Sequence, residues 1–156
     1  MALVHEQLYK NRNIKTLSVG EYLSNLVRIV SSAFSTTRIQ VHLDIYEEIL
    51  DVETLLPMGL IVNELLTNAF KYAFPDKREG NIWVSYAKAT PNKKGIEMRL
   101  LTVKDDGVGL PPEFTFAEKT SMGSQIIDLL SKQLEAKIMI DGTKGASFSL
   151  LLPLEK

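Results

Sequence analysis

Between Leu60 and Phe74 the apolar residues recur at helical spacing. At roughly 100° per residue, Leu65, Leu66, Ala69, Phe70 and Ala73 fall on one side, suited to a core. Glu64, Asn68, Lys71 and, at the margin, Tyr72 fall on the opposite side, with Asn63 on the flank beside Phe70. A polar side on an amphipathic helix is usually a solvated face. A carboxylate, an amide, an ammonium and an aromatic in one row also suit a helix that lines a magnesium-nucleotide cleft, and Pro57 fits the first turn of such a helix.

The other elements follow from the same patterning. Leu3, Val4 and Leu8 recur at helical spacing over residues 1–10, which read as the last turns of a longer helix stopped by Asn11-Arg12-Asn13. Ser18 with Glu21 three residues on reads as a capping box. It opens a helix to about Phe34 that buries Tyr22, Leu23, Leu26, Val27, Val30 and Phe34. Ile39–Ile45 alternates with period two and places His42 on a polar strand face. After the loop Pro75–Gly80, strands are expected at 81–89 and 96–104 around the turn Thr90–Gly95. A helix over Met122–Leu134 and strands at 136–140 and 146–152 complete the chain. Strands arriving mostly in hairpins with helices between them predict an α+β fold, one mixed, mostly antiparallel sheet with helices on one face.

Composition narrows the function classes. The 156 residues, 45% hydrophobic and 24% charged, suit one domain with a real core. A formal net charge of −1 gives no basic field for nucleic acid. There are no cysteines, which excludes a disulfide framework, and the two histidines are too far apart to read as a zinc site. No apolar run reaches the length of a membrane span, so no direct membrane contact by this domain is expected.

Two further segments could complete a site. Asp105-Asp-Gly107-Val-Gly109 leaves the end of an apolar strand, where an ionised carboxylate can accept from an exocyclic amine such as that of adenine. Taken alone, such an Asp-Gly stretch is a common turn. It does not fit an EF-hand, since the twelfth position is Phe116, and no Walker-type glycine-lysine loop occurs. The second segment, Thr120-Ser121-Met122-Gly123-Ser124, opens a helix whose first amides could face a phosphate chain, although by itself it is an ordinary capped start.

In this order the boxes resemble the catalytic ATP-binding (HATPase, Bergerat-type) domain of two-component sensor histidine kinases. That domain belongs to the wider GHKL group with gyrase, a heat-shock chaperone and a mismatch-repair ATPase. The nearest branch carries Asn-Glu-Leu-x-Thr-Asn-Ala-x-Lys, matched here by Asn63-Glu-Leu-Leu-Thr-Asn68-Ala-Phe-Lys71. The resemblance extends over essentially the whole chain, Ala2–Tyr9 being similar to the end of that branch's dimerisation helices. It implies an α/β sandwich, with residues 1–15 as the remnant of a dimerisation helix and 16–156 as the catalytic domain.

By the same resemblance, Glu64 would be the catalytic acid that orients or deprotonates the attacking imidazole. Asn68 would give an oxygen to Mg²⁺, Lys71 would neutralise phosphate, and Tyr72 would lie near adenine or ribose. Asp105 would accept from the adenine amine and reject guanine, which places a carbonyl there. Gly107 and Gly109 would wall the purine pocket, Gly123 and Ser124 would sit at the phosphates, and residues 111–122 would form a lid.

Three departures from the family pattern stand out. The upstream phosphoacceptor histidine box is missing, and His5 lies beyond its place; the helix start has one glycine; and Ala146 follows Gly145 where a threonine is common. The implied function is transfer of the γ-phosphoryl of Mg·ATP to a histidine on a dimerisation domain outside this fragment, and onward to a response-regulator receiver domain. The fragment itself would bind nucleotide without labelling itself. The parent would be a homodimer and this domain cytoplasmic, any membrane anchor lying elsewhere in the parent. The alternatives are a stand-alone serine kinase of the anti-sigma type and a non-catalytic pseudokinase module.

Overall fold

The computed structural model describes residues 15–34, 36–110 and 122–154, without the side chain of Met122. The helix expected at residues 1–10 and the lid expected at 111–122, except the backbone of Met122, lie outside the described residues. Elements follow in the order β1 (Thr16–Ser18), α1 (Val19–Phe34), β2 (Ile39–Ile45), β3 (Ile49–Asp51), α2 (Val52–Asn68), a π-helical turn (Ala69–Ala73), β4 (Gly80–Ala89), β5 (Met98–Asp105), α3 (Met122–Gln133), β6 (Lys137–Asp141) and β7 (Ser147–Pro153).

Five strands form one sheet in the order β2-β4-β5-β7-β6. Only β2 and β4 run parallel, Val41 opposite Ile82 and Ile45 opposite Tyr86; the remaining pairs are antiparallel. Period-two alternation turns Ile82, Val84, Tyr86, Leu101, Val103, Leu150 and Leu152 to one face, where they are buried. Leu23, Leu26 and Val30 of α1, Leu55, Met58, Ile61, Leu65 and Leu66 of α2, and Ile127 of α3 join them in one core. The opposite face is more polar: Thr102 and Ser149 share a hydrogen bond of 3.1 Å, and His42 stacks on Trp83. The mixed sheet with helices on one face is the architecture that the patterning predicts.

Three local features differ from expectation. The central helix begins at Val52, not near Pro57, so Pro57 lies inside it and removes the bond its amide would give the carbonyl of Glu53. Its start is fixed by tertiary contact: β1 pairs with β3, and the Val52 amide donates to the Lys15 carbonyl at 2.9 Å. The same helix changes to a π-helical turn at Ala69. At the start of α1, Ser18 Oγ accepts the Glu21 amide as the capping box predicts, yet the carboxylate that closes the cap is Glu47, which accepts from Ser18 Oγ at 2.6 Å and from the Gly20 amide at 3.2 Å.

At the Met98 end of β5, Arg99 is buried and lies on the core face. Its guanidinium holds Glu48 with Nε and Nη2 at 2.7 and 3.0 Å, and the hydroxyl of Tyr86 donates to the same carboxylate. Burial alone would raise the pKa of Glu48, but hydrogen bonds from Arg99 and Tyr86, with the charges of Arg99 and Lys88, hold it below the usual range. Folded Glu48 therefore binds its proton less tightly than unfolded Glu48. Its contribution is present at neutral pH and is lost as pH falls through its depressed value. Glu48→Ala leaves Arg99 and the Tyr86 hydroxyl without their acceptor and should cost about 3 kcal/mol, read as a lower urea midpoint at pH 7. A midpoint within about 0.5 kcal/mol of the parent would contradict this account of the cluster.

Candidate functional site

Asp105 ends β5 and points toward the helical layer, 3% exposed. Its Oδ1 accepts the amides of Gly107 at 2.9 Å and Ala146 at 3.1 Å, and its own amide donates to the Ala146 carbonyl at 2.8 Å. Oδ2 has no partner among the described residues. Burial raises the pKa of this carboxyl, the two amides oppose the rise, and the neighbouring Asp106 adds to it. The result is a desolvated acceptor with one oxygen held and one free.

The loop after Asp105 is clamped from both sides. A Cβ on Gly107 would collide with the carbonyl oxygen of Ala73, and the next amide, Val108, donates to that carbonyl at 3.0 Å. The chain thus passes directly over the end of the π turn. Gly109 has φ +82°, and a side chain there would run into the carbonyl of Gly142; the Leu110 amide donates to the same oxygen at 3.2 Å. The β6–β7 turn and the central helix therefore fix the loop between them.

On α2, Glu64 and Asn68 are half-buried one turn apart, while Lys71 and Tyr72 lie exposed in the π turn, Tyr72 at 69%. The wider turn re-aims these last two away from the straight row a uniform 100° wheel gives. Phe70, placed on the core side by that wheel, and Phe34, expected on the buried side of α1, are both only partly buried and stack on one another with centroids 4.7 Å apart. At the start of α3, Gly123 lies against Glu64, whose carboxylate occupies the space a side chain at 123 would take. Ser124 is buried beside it. Glu64 and Ala73 are separated along the helix by about 13 Å. One end of this span meets α3, and the other meets the Asp105 loop.

Sequence reasoning missed a chain of polar contacts behind that loop. Asp106 accepts the Asn81 amide at 2.7 Å and Asn81 Nδ2 at 3.0 Å. Asn81 Oδ1 is left to accept from His42 Nε2 at 2.9 Å, so that ring nitrogen carries the proton. Arg78 Nη2 donates to the Asp106 carbonyl at 3.1 Å, from a turn in which Asp76 and Lys77 both have φ +59°. Burial would raise the pKa of Asp106, but the Asn81 donors hold it below the usual range. The available signal was the Asp-Asp pair itself: adjacent carboxylates at a strand end face opposite ways, so the second needs donors of its own. Among the described residues no group of three His, Cys, Asp or Glu side chains could hold a metal ion, and no helix is long and apolar enough to cross a membrane.

The family model for histidine kinase-, DNA gyrase B-, and HSP90-like ATPases matches residues 53–156, and a model described as histidine kinase matches residues 1–34. Blue-light-activated histidine kinase 2 of Erythrobacter litoralis is 28% identical over 143 residues, covering 91% of this chain and 40% of that protein. Sensor histidine kinase PdtaS of Mycobacterium tuberculosis is 26% identical over 141 residues, covering 88% of this chain and 27% of that one. The chain thus spans less than half the length of these curated relatives. Among solved structures, the Erythrobacter litoralis EL346 blue-light activated histidine kinase superposes with a TM-score of 0.83 at 26% identity, over 98% of this chain and 52% of that one.

The clamp on the Asp105 loop has a direct test. Gly107→Ala forces a methyl group against the Ala73 carbonyl and should cost about 1–3 kcal/mol, seen as a lower denaturant midpoint at unchanged m-value. An unchanged midpoint would mean that loop and helix are not in close contact.

Proposed function

This chain belongs to the histidine kinase-, DNA gyrase B-, and HSP90-like ATPase family, as a histidine-kinase ATPase domain, and from that premise we propose that it transfers the γ-phosphoryl of Mg·ATP to a histidine of a dimerisation domain. The observation that carries the reading is the meeting of three distant segments. Gly107 lies on Ala73 and Gly123 lies on Glu64, so the Asp105 loop and the start of α3 meet the two ends of one helical stretch. A nucleotide laid along that stretch has its base at Asp105 and its phosphates at Glu64.

The free Oδ2 of Asp105 accepts the adenine amine. Guanine presents an acceptor at that position and leaves the desolvated carboxylate unpaired, which is the basis of selection. Gly107 and Gly109 bring backbone to the base, and Tyr72 covers base or ribose. Lys71 neutralises phosphate charge, while Gly123 and Ser124 place the first turn of α3 at the phosphate chain. The oxygen donors Glu64 and Asn68, one turn apart, suit a hard cation that keeps most of its ligands as water and phosphate, rather than an all-protein cage. Asn68 would hold Mg²⁺, which supplies charge neutralisation.

In the transfer, an imidazole nitrogen of the acceptor forms a bond to the γ-phosphorus, the bond to the β–γ bridging oxygen breaks, and ADP leaves. Glu64 orients the imidazole and takes its proton. Positioning and charge stabilisation carry most of such a reaction. The match of residues 1–34 to a histidine kinase model supports residues 1–15 as the end of a dimerisation helix. The parent is then a homodimeric cytoplasmic kinase region that passes the phosphoryl group to a receiver domain.

Nucleotide at a hundredfold excess over Kd should stabilise the chain by about 2.7 kcal/mol, seen as a raised melting temperature with Mg·ATP. Asp105→Asn should abolish that shift without lowering the unliganded melting point, because it removes a desolvated charge while keeping an oxygen for Gly107 and Ala146. No shift in the parent chain would contradict the reading and favour a non-catalytic scaffold.

Asp105 also sets a pH dependence. Its folded pKa lies above the unfolded one, so the folded chain holds the proton more tightly and unliganded stability from this group rises as pH falls toward that pKa. Affinity for the adenine moiety should fall over the same range, since a protonated Oδ2 no longer serves as an anionic acceptor. Titration calorimetry with adenosine, which carries no titrating phosphate, taken down through the Asp105 transition as followed by NMR of its carboxyl carbon, should show this loss in the parent chain. An affinity that stays level while Asp105 protonates would exclude Asp105 as the adenine ligand.

A further inference from the structure

Around the place where a Cβ on Gly123 would stand, Cδ of Glu64 lies 3.1 Å away, Oε1 3.8 Å, and Oε2 closer than either. A half-buried carboxylate therefore fills the side-chain space of the residue opposite, and it does so at the start of α3, where the Proposed function places the phosphate chain. Two anions do not share such a space: a like charge at contact distance is repelled strongly where water is partly excluded.

We propose that Glu64 and Gly123 form a gate at the phosphate end of the site, in which the Glu64 carboxylate occupies the room left by the missing side chain and the phosphates of the incoming nucleotide displace it. This rests on the reading above and adds to it a second duty for Glu64, to be vacated from its resting place before it can act on an acceptor. It also gives a reason for glycine at 123 that does not depend on phosphate contact: any side chain there meets Glu64 first. Nucleosides, which lack phosphates, leave the gate in place.

Two arms on the same set of variants test this. In the first, melting temperatures are compared for the parent, Gly123→Ala, Glu64→Ala and the double variant without ligand. The change in melting temperature on Gly123→Ala should be more favourable in the Glu64→Ala background than in the parent, since the collision partner is gone and only the gain in helix propensity remains. If the change is the same in both backgrounds, the carboxylate does not occupy that space and the proposal falls.

The second arm is calorimetric titration with adenosine, ADP and a non-hydrolysable ATP analogue in the absence of Mg²⁺. Glu64→Ala should bind the two phosphate-bearing ligands about tenfold tighter while adenosine affinity stays level. Unchanged or weaker binding of both would overturn the gate, as would an equal gain for adenosine. Should the parent chain bind none of the three, the nucleotide reading itself fails and the gate with it. The melting arm still decides whether Glu64 and Gly123 touch.

Discussion

The two backbone amides that converge on Oδ1 of Asp105 are the constraint on which the rest of this site depends. One comes from the loop that follows the residue, the other from the turn before β7, so a single oxygen ties the end of a central strand to two neighbours. That turn must come close to the end of β5, and it does: a side chain on Gly145 would collide with the Asp105 carbonyl. The helical layer completes the enclosure through Ala73. What remains is one carboxylate oxygen without a partner among the described residues, in a desolvated and rigid frame, and on the function proposed above it is the oxygen that would tell one purine from another by a charge-assisted hydrogen bond.

The two ends of β5 treat buried charge in opposite ways. Arg99 and Glu48 neutralise one another about 20 Å along the strand from Asp105, with Tyr86 taking up a further lone pair. Among the described residues Asp105 has no cation in hydrogen-bond contact, only amides, and burial raises its pKa where the donors around Glu48 lower that one. The first end pairs its charges, and the second keeps a desolvated carboxylate held by amides alone. The proposed function accounts for the difference, since a group that waits for a ligand stays under-satisfied without it.

Much of this was legible in the sequence, for definable reasons. Period-two and period-3.6 patterns give the strands and helices because burial acts on one face at a time, and Asp105, part of an ordinary Asp-Gly turn when taken alone, stands out only through its order with the Asn63–Lys71 helix and the Gly123 helix start. The start of α2 was not legible, since Pro57 ordinarily marks a first turn and the helix is instead begun by a Lys15–Val52 contact between residues far apart in the chain. Nor was the π turn, because Ala69–Ala73 has no residue that a regular helix would refuse. Glu47 as the closing member of the α1 cap, and the His42–Asn81–Asp106 chain, both join positions distant in sequence. Local pattern carries no record of such partners.

If the Asp105 loop, the α2 stretch from Glu64 to Ala73 and the start of α3 serve one adenine nucleotide, a crystal structure of this chain with Mg²⁺ and a non-hydrolysable ATP analogue will place the adenine amine within hydrogen-bond distance of Asp105 Oδ2 and the phosphates between Asn68 and Gly123. A nucleotide bound elsewhere on the molecule, or one whose base points away from Asp105, would show that the three segments do not share a ligand.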